Sequence, residues 1–554
     1  MNSKLYKLVY SKAHRMMVAV ADFATGHGGS GRNAQRAFLA SSTHASLILP
    51  LRAVAFAAML LLGSASTLAF AQIVAAPGSG AQVIQTQNGL NQVNIARPSA
   101  AGVSVGTFSQ FDVPKKGAIL NNSPTIVQSQ QGGYINGNPN LTPGNSARII
   151  VNQVVSNSPS QLRGYLEVAG QKAEVVVANP NGIVLDGAGF LNTSKAVLTT
   201  GTPNYGPNGG LTGFNVSQGN ITVQGAGLNA TNVDQVDLIA RAIQVNAAIY
   251  ANNLNVLAGP SAVDYATLAT TPIAGTGAVP SVAIDVSQLG GMYSNRIFLA
   301  SNEYGVGVST RGVLAAQAGD LTLKSNGQLV LAGTTQARGS ISASGAQGID
   351  NGGTTYAQHD VIVSTSGALT NSGTLAAQQN TSVNAASVSS TGTLGAGINQ
   401  DGSVAQGGDL SVIALGALSA NGRNAAGGNA TISGASVNLA GSSTTANGNL
   451  AMAANAGDLN LSGASTTVVS STSGSDAVDR VLIVKINGTP TTIYYNSLTQ
   501  NSDGTITVNY WDAYDPHINY DPSTEYLTRS DAHNGWQRVE KSRATRPRRR
   551  RRIR

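Results

Sequence analysis

Side chains able to do catalytic chemistry are few and widely spaced in this 554-residue chain. Beyond residue 71 the histidines are His359, His517 and His533, and none accompanies a G-x-S-x-G nucleophile motif. Cysteine is absent, which excludes thiolate nucleophiles, disulfides and cysteine-ligated metals, and no H-E-x-x-H zinc motif occurs. We therefore predict that the protein is not an enzyme and binds no cofactor.

Acidic residues near the carboxyl terminus are the best candidates for a metal site. Asp512, Asp515, Asp521 and Glu525 offer hard oxygen ligands, but their spacing does not match an EF-hand loop. A solvated acidic face accounts for them better, so no metal site is predicted. Residues 319–473 also lack a repeating charged cluster of the kind some β-helical polysaccharide lyases use. Their charges are Asp320, Lys324, Arg338, Asp350, Asp360, Asp401, Asp409, Arg423 and Asp458.

Two asparagine-rich turns are the most distinctive polar feature, and their chemistry is hydrogen bonding rather than catalysis. They are Asn138-Pro139-Asn140-Leu141 and Asn179-Pro180-Asn181-Gly182-Ile183. Asn bonds its own backbone, Pro presets φ and Gly supplies positive φ, so these combinations connect strands. At the corners of a stacked-strand fold, Asn side chains would pair backbone groups that burial otherwise leaves unsatisfied.

Short β-prone segments surround these turns and position them. Residues 147–151, 164–168 and 173–177 are rich in Val, Ile and Leu, which favours strands. From residue 319 the chain also repeats itself: Gly319-Asp320-Leu321 returns at 408 and 457, and related phrases begin at 428 and 448. The starts at 408, 428 and 448 predict a solenoid with about 20 residues per coil. A disordered Gly/Ser/Ala linker, the alternative, would show no such apolar period.

The net charge of +8 comes from the two ends of the chain. Eight arginines lie in the last twelve residues, and seven basic residues lie in the first 71. Residues 72–542 hold 18 basic and 24 acidic residues, so the body is mildly acidic. We therefore expect no nucleic-acid partner for the body.

The amino-terminal region is predicted to be a cleaved leader. Arg52 precedes an apolar run from Ala53 to Leu62, and small residues follow it up to Ala69-Phe70-Ala71. This order predicts cleavage before Gln72. The run is shorter than the about 20 residues that a transmembrane helix needs, and no second apolar segment follows. We expect an exported chain with no stable membrane span.

The order of these motifs resembles the secretion domain of filamentous haemagglutinin-type exoproteins, which leave Gram-negative bacteria by two-partner secretion. The resemblance covers about residues 73–205 and includes both asparagine turns and the segments between them. One departure is Val105-Gly106, where the family usually has a His-Asn pair. The residues from Met1 to Asp22 also resemble the extended signal peptides of such exoproteins.

The resemblance implies an all-β fold, a right-handed parallel β-helix preceded by the leader. It implies an outer-membrane transporter as partner, which either contacts the two asparagine turns directly or meets a surface that they shape. The expected domains are an extended signal peptide (1–71), a secretion domain (72–310, core 73–205) and adhesin-type β-helix repeats (311–473). An aromatic-rich β region (474–542) and an Arg-rich, disordered tail (543–554) follow, and a truncated or out-of-frame end explains that tail best.

Two functions remain open at this point. One is a secreted, surface-exposed adhesin that passes through the periplasm and outer membrane and binds a receptor or glycan on host or bacterial cells. The other is the shaft of a contact-dependent growth-inhibition toxin without its toxin module. The residues name neither the ligand nor the receptor.

Overall fold

The computed structural model describes residues 72–405 and 407–468 and nine shorter stretches. These stretches are residues 6–11, 16–21, 480–486, 489–495, 497–500, 506–509, 520–521, 526–528 and 538–540. The chain divides into two units, residues 1–68 and 69–554. In the first unit, β1 (Tyr6–Ser11) and β2 (Met16–Ala21) pair in antiparallel fashion. Every regular element within the described residues is a β-strand.

The first part of the second unit combines short strands with a few long ones. In chain order these are β3 (Ile73–Ala75), β4 (Gln82–Gln85), β5 (Asn91–Asn94), β6 (Val103–Phe111), β7 (Ala118–Asn122), β8 (Val127–Ser129), β9 (Gly133–Ile135), β10 (Ile149–Val154), β11 (Ser160–Leu162), β12 (Tyr165–Gly170), β13 (Ala173–Ala178), β14 (Ile183–Leu185), β15 (Ala188–Leu191), β16 (Thr193–Thr199), β17 (Thr202–Tyr205), β18 (Leu211–Val216), β19 (Asn220–Val223), β20 (Leu228–Ala230), β21 (Gln235–Ala240), β22 (Ala242–Val245), β23 (Ala248–Ala258), β24 (Ser261–Asp264), β25 (Thr270–Pro272), β26 (Val282–Val286), β27 (Gly291–Ser301), β28 (Gly307–Thr310) and β29 (Val313–Ala316).

The next part is more regular, with strands of two to five residues. They are β30 (Leu321–Ser325), β31 (Leu329–Leu331), β32 (Thr334–Ala337), β33 (Ile341–Gly345), β34 (Ile349–Asn351), β35 (Thr354–Ala357), β36 (Val361–Thr365), β37 (Ala368–Asn371), β38 (Thr374–Ala377), β39 (Thr381–Ala385), β40 (Ser387–Ser390), β41 (Thr393–Ala396), β42 (Leu410–Ala414), β43 (Ala417–Ala420), β44 (Arg423–Ala426), β45 (Ala430–Gly434), β46 (Ser436–Asn438), β47 (Ser443–Ala446), β48 (Leu450–Ala454), β49 (Leu459–Asn460) and β50 (Ser465–Val468).

Seven strands follow in the carboxyl-terminal region. They are β51 (Arg480–Ile486), β52 (Thr489–Tyr495), β53 (Ser497–Gln500), β54 (Ile506–Asn509), β55 (Tyr520–Asp521), β56 (Tyr526–Thr528) and β57 (Arg538–Glu540). Strand β51 pairs with β52 in antiparallel register, with Val481 opposite Tyr494. The Arg-rich tail, residues 543–554, lies outside the described residues.

Most strands from β5 to β50 stack in three parallel columns, and each regular coil of the chain adds one strand to each column; β8, β9, β17, β18, β24 and β25 pair in separate antiparallel sheets. Column 1 runs from β6 through β10 and β13 to β48, and column 2 from β5 through β7 and β12 to β50. Column 3 runs from β11 through β14 to β49. Strands β23 and β27 are long enough to bend round one corner and serve columns 1 and 2 together. The predicted all-β, right-handed parallel β-helix is confirmed.

The core fills the space enclosed by the three columns. Leu321 and Leu323 of column 1 and Leu329 and Leu331 of column 3 are at most 1% exposed, as their alternation predicted. The residues between them on each strand face outward. Each fully buried Leu contributes on the order of 1.5–3 kcal/mol, so stacked coils are stable where one coil alone is not.

Regular register explains the repeated phrases. Leu321 pairs with Ile341 and Ile341 with Val361, so each of these coils adds 20 residues, whereas the coil from Thr381 to Leu410 adds 29. At the start of the column 1 strands, Asp360 Oδ1 accepts the backbone N–H of Asn380 at 3.1 Å, and Asp409 Oδ1 accepts that of Asn429 at 2.7 Å. The phrase at 457 is not equivalent: Leu459 pairs with Val437 in column 3, so the predicted equivalence of Gly457-Asp458-Leu459 is wrong.

Antiparallel strands cover the end of the amino-terminal coils and pack on their outer surface. Strand β3 pairs with β6, and β4 with β5, so the first sheet edge is covered rather than open. A separate sheet of β17, β18, β24 and β25 packs Phe214 and Val216 against outward-facing valines of column 1. Strands β24 and β25 form an antiparallel hairpin, in which Ser261 pairs with Pro272.

Candidate functional site

The first asparagine turn fastens the chain between β9 and β10. The Asn138 side chain is 1% exposed, and its Nδ2 donates to the carbonyls of Ile95, at 3.0 Å, and Asn121, at 2.9 Å. Its Oδ1 accepts the backbone N–H of Asn140 at 2.9 Å, which closes the turn. All three bonds of this amide are therefore used inside the protein.

The remaining residues of this turn connect it to the amino-terminal cap and to the core. Asn140 Nδ2 donates to the carbonyls of Gly80, at 3.2 Å, and Ile95, at 3.0 Å. Leu141 is buried in the main core, while Pro139 is exposed. The turn thus joins the β4–β5 cap to column 2 and presents Pro139 to solvent.

The second asparagine turn has the same chemistry at a different corner. Asn179 is fully buried, and its Nδ2 donates to the Ser158 carbonyl at 2.9 Å and to Ser160 Oγ at 3.0 Å. Its Oδ1 accepts the backbone N–H of Asn181 at 3.0 Å. Gly182 has φ +115, and a Cβ there would lie 3.0 Å from the Asn220 carbonyl oxygen, so only glycine suits the position.

The two turns are not brought together into one cluster. The first precedes β10 of column 1, whereas the second leads from β13 of column 1 to β14 of column 3. Ile183, which ends the second turn, is buried in the core, and Pro180 and Asn181 are half-buried. Both leading asparagines are buried, so their amides bond within the turns, and only neighbouring residues reach the surface.

Glu167 is a site residue that the sequence reasoning missed. This β12 residue is 2% exposed, and its carboxylate accepts the backbone N–H groups of Gln130, at 2.6 Å, and Gln131, at 2.9 Å. Ser129 Oγ donates to the same carboxylate at 2.9 Å. The available signal was a lone acid in an otherwise apolar strand, because a buried carboxylate requires such donors.

Glu167 thereby fixes the β8–β9 hairpin, which leads into the first turn. Two large apolar side chains on and beside this hairpin point into solvent: Ile126 is 68% exposed and Tyr134 73% exposed. We call Ile126, Tyr134 and Pro139 the hairpin surface. It is apolar, exposed and rigidly supported, and these properties favour an interface with another protein.

A buried charged network anchors the antiparallel sheet to column 1. Lys195 Nζ lies 3.1 Å from Asp237 Oδ2 and 4.2 Å from the centre of the Tyr265 ring. The Tyr265 hydroxyl donates to Glu174. Burial, and then the nearby Glu174 carboxylate, raise the pKa of Tyr265 above its ordinary value of 10.0. The neutral phenol is therefore part of the folded structure.

The other predicted residues contribute no geometry to this site. Ala69 and Ala71 lie outside the described residues, and Gln72, the first residue described in the second unit, accepts the Asp112 backbone N–H at 3.1 Å. His359 is exposed, while His517 and His533 lie outside the described residues. Within the parts of the chain that the structure describes, no helix is both long and apolar enough to cross a membrane.

Two protein-family models match this chain. The TPS secretion domain family matches residues 71–331, and the extended signal peptide of type V secretion systems matches residues 1–51. The tRNA nuclease CdiA-2 of Burkholderia pseudomallei strain 1026b is 52% identical over 458 residues, which are 83% of this chain and 15% of that protein. The toxin CdiA of Yersinia pestis is 43% identical over 357 residues, 63% of this chain and 11% of that protein.

The filamentous hemagglutinin secretion domain, known from a crystal structure, is 36% identical in sequence to this chain, and the two structures superpose with a TM-score of 0.46. The match covers 54% of this chain and 96% of that domain. In contrast, this chain spans only 15% and 11% of the two curated relatives named above.

Proposed function

Because this chain belongs to the family of two-partner secretion exoproteins, we propose that it is an adhesin-type exoprotein whose two asparagine turns build the surface that its transporter recognises. Family membership places the protein at the cell surface of a Gram-negative bacterium, reached through the periplasm and outer membrane. It also implies an outer-membrane two-partner secretion transporter as partner.

The burial of Asn138 and Asn179 is the observation that supports a positioning role for the two turns. Asn138 and Asn179 offer a partner no exposed amide group, because each is buried and hydrogen-bonded within the fold. What they hold in place reaches the surface: Asn138 orients the exposed Pro139, and Asn179 orients the half-buried Pro180 and Asn181 at a separate corner. On this proposal the transporter meets both the hairpin surface and the corner at Pro180, and the asparagines act as positioning residues.

Release into the medium tests this role. Cells producing the chain with and without its outer-membrane transporter are compared, first with the natural sequence and then with Asn138→Ala or Asn179→Ala. Asn371→Ala is the matched control, since Asn371 is also fully buried and its Nδ2 donates to Ser390 Oγ at 2.9 Å and to the Thr393 carbonyl at 3.1 Å. We expect transporter-dependent release that the first two changes reduce and the control does not.

Variants distinguish direct contact of the transporter with the hairpin surface from an effect of Asn138 on folding alone. Tyr134→Ala removes an exposed side chain without breaking a buried hydrogen bond, so we expect a folded protein with weakened release. If Tyr134→Ala and Pro139→Ala are released normally while Asn138→Ala is retained, the asparagine acts on folding alone, and the hairpin surface is not the recognition surface.

A toxin shaft is the second candidate, because the Burkholderia relative is a tRNA nuclease by name. On this proposal the chain corresponds to the part of such a protein that directs secretion and extends away from the cell surface. Incubation of the purified chain with tRNA distinguishes an intrinsic nuclease from both proposals: we expect intact tRNA, and cleavage would contradict the assignment of this chain as a non-enzymatic rod.

A further inference from the structure

Tyrosines line one outward-facing lane of column 2. In successive coils the paired residues along this lane are Tyr165, Gly189, Asn229, Tyr250 and Tyr293. At about 4.8 Å per strand, these five positions span roughly 19 Å along the rod. We call these five residues the tyrosine lane.

Glycine makes room for the first ring. A Cβ on Gly189 would lie 2.4 Å from Tyr165 Cε1, so the Tyr165 ring lies over the neighbouring strand in the space that a side chain would fill. Tyr165 is 37% exposed in this position. A second glycine, Gly291, does the same for Tyr293, whose Cε2 would lie 2.7 Å from a Cβ at residue 291.

The second aromatic position is a stacked pair. The rings of Tyr250 and Tyr293 lie 5.2 Å apart with an angle of 19° between their planes. On the other side of Tyr250 along the lane, its register partner is Asn229. Tyr250 is still 44% exposed. The tyrosine lane therefore presents rings on both sides of Gly189 and Asn229.

A shallow cleft of about 310 Å³ lies on this lane, lined by Gln131, Tyr165, Leu191, Asn229, Thr231 and Asn232. Three of these residues are amides, two (Tyr165 and Thr231) carry hydroxyls, and none carries a formal charge. Gln131 Nε2 donates to the carbonyls of Ala118 and Tyr165, both at 3.3 Å, and Asn232 Nδ2 donates to the Phe190 carbonyl. These bonds hold the amides at the rim of the cleft.

We propose that the tyrosine lane and its cleft bind a neutral glycan. The faces of aromatic rings are electron-rich and pack against the weakly positive C–H groups of a pyranose, while amides and hydroxyls bond its hydroxyl groups. The lack of charge in the cleft matches an uncharged sugar better than an acidic one. The proposal goes beyond export, because it concerns the protein after release and needs no transporter.

Affinity electrophoresis of the secreted chain tests the proposal. Native gels contain dextran, laminarin, galactomannan or hydroxyethyl cellulose as neutral probes, and heparin or alginate as charged ones. We expect retardation by at least one neutral polysaccharide, and Tyr165→Ala and Tyr250→Ala should each weaken the apparent association by on the order of tenfold. Tyr304→Ala is the control, because Tyr304 is 83% exposed and lies outside the lane.

Three results would overturn the proposal. The first is retardation by none of the neutral polysaccharides, and the second is retardation that Tyr165→Ala and Tyr250→Ala leave unchanged. The third is binding confined to heparin or alginate. Tyr165→Phe keeps the ring and should keep most of the binding, so a loss in Tyr165→Ala alone reports the ring face rather than a folding defect. If the tyrosine changes instead block release from cells, the lane contacts the transporter and the glycan assignment is wrong.

Discussion

The amino-terminal coils and the repeat arm use the same three columns but stabilise them differently. Residues 72–310 contain the nine-residue β6, the eleven-residue β23 and buried rings such as Phe108, which lies 4.9 Å from Phe111. Residues 311–468 contain strands of five residues or fewer and ladders that recur every 20 residues, as between Leu321 and Ile341.

This difference shows in which part of the molecule a position requires one particular residue. In the amino-terminal coils, buried polar groups such as Glu167 have partners specific to their position, here the β8–β9 hairpin. In the arm, the same contact is made again one coil later, so neighbouring coils are nearly interchangeable. A surface that one partner must recognise needs unique positions, whereas a rod that provides reach needs only repetition.

The largest effect is expected in the amino-terminal core. Phe108→Ala removes a fully buried ring and its edge-to-face contact with Phe111, and should lower the free energy of unfolding by about 3–5 kcal/mol. Urea unfolding followed by circular dichroism measures the loss. Tyr304→Ala, an exposed aromatic, should change the midpoint little, and equal losses in the two variants would contradict the packing argument.

A glycine ladder should give the largest effect in the arm. A Cβ on Gly353 would lie 2.0 Å from the Gly333 carbonyl oxygen, and one on Gly373 would lie 2.0 Å from that of Gly353. Gly353→Ala therefore forces two coils apart, at a cost of about 3 kcal/mol. Gly352→Ala is the adjacent control, because its Cβ would meet only Ser372 Oγ at 3.7 Å. Similar unfolding midpoints for the two variants would show that the corner is not tightly packed.

Removing the buried carboxylate should loosen one hairpin without unfolding the rod. Glu167→Gln keeps the side-chain shape but replaces one acceptor oxygen with an NH2 donor that faces other N–H and O–H donors, which costs about 1–3 kcal/mol. We expect limited proteolysis to begin between residues 126 and 136, with the rest of the chain resistant. Cleavage sites spread over the whole rod would contradict a local role for Glu167.

Alkaline pH should weaken the attachment of the antiparallel sheet. Burial raises the pKa of Tyr265 in the folded state, so the neutral phenol stabilises the fold below the unfolded pKa near 10.0. Above that pH the unfolded chain loses its proton first, and stability falls by about 1.4 kcal/mol per pH unit until the folded pKa is reached. Tyr265→Phe should lose less stability between pH 10 and 11, and identical pH profiles for both proteins would refute the assignment.

The smallest effect is expected where aspartate side chains of the arm accept backbone N–H groups of the next coil, as Asp360 does from Asn380. We call this series of bonds the ladder. Asp360→Ala removes the acceptor for the Asn380 backbone N–H and should cost about 0.5–1.5 kcal/mol, whereas Asp360→Asn keeps an acceptor oxygen and should cost less. Thermal unfolding of the two variants compares them directly. An equal loss in the two variants would mean that the charge of Asp360, rather than its hydrogen bond, supports the ladder.

Local pattern predicted the fold class and the turns but not the long-range contacts. Alternation at Leu321 and Leu323 predicted inward-facing side chains, and the Asn-Pro pairs predicted corners. The partners of the first turn, the Ile95 and Gly80 carbonyls, lie 43 residues from Asn138 and 60 from Asn140. No local rule indicates contacts at such separations, because they depend on how the cap folds back on the coils.

Two further features depend on packing that short sequence motifs do not determine. Gly457-Asp458-Leu459 copies the column 1 phrase but lies in column 3, since similar corners recur within one coil. At Val105-Gly106, the departure from the family pattern has a packing reason: a Cβ on Gly106 would lie 2.8 Å from the Phe108 ring. The domain boundaries and the cleavage before Gln72 stay predictions.

Release of two variants into the medium tests the central contrast most directly. Deletion of residues 341–360 removes one coil in register, because Leu321 pairs with Ile341 and Ile341 with Val361. We predict that cells with the transporter release this shortened chain as well as the natural one, whereas they retain Asn138→Ala. Normal release of Asn138→Ala together with loss of the shortened chain would contradict the division between a recognised end and an interchangeable arm.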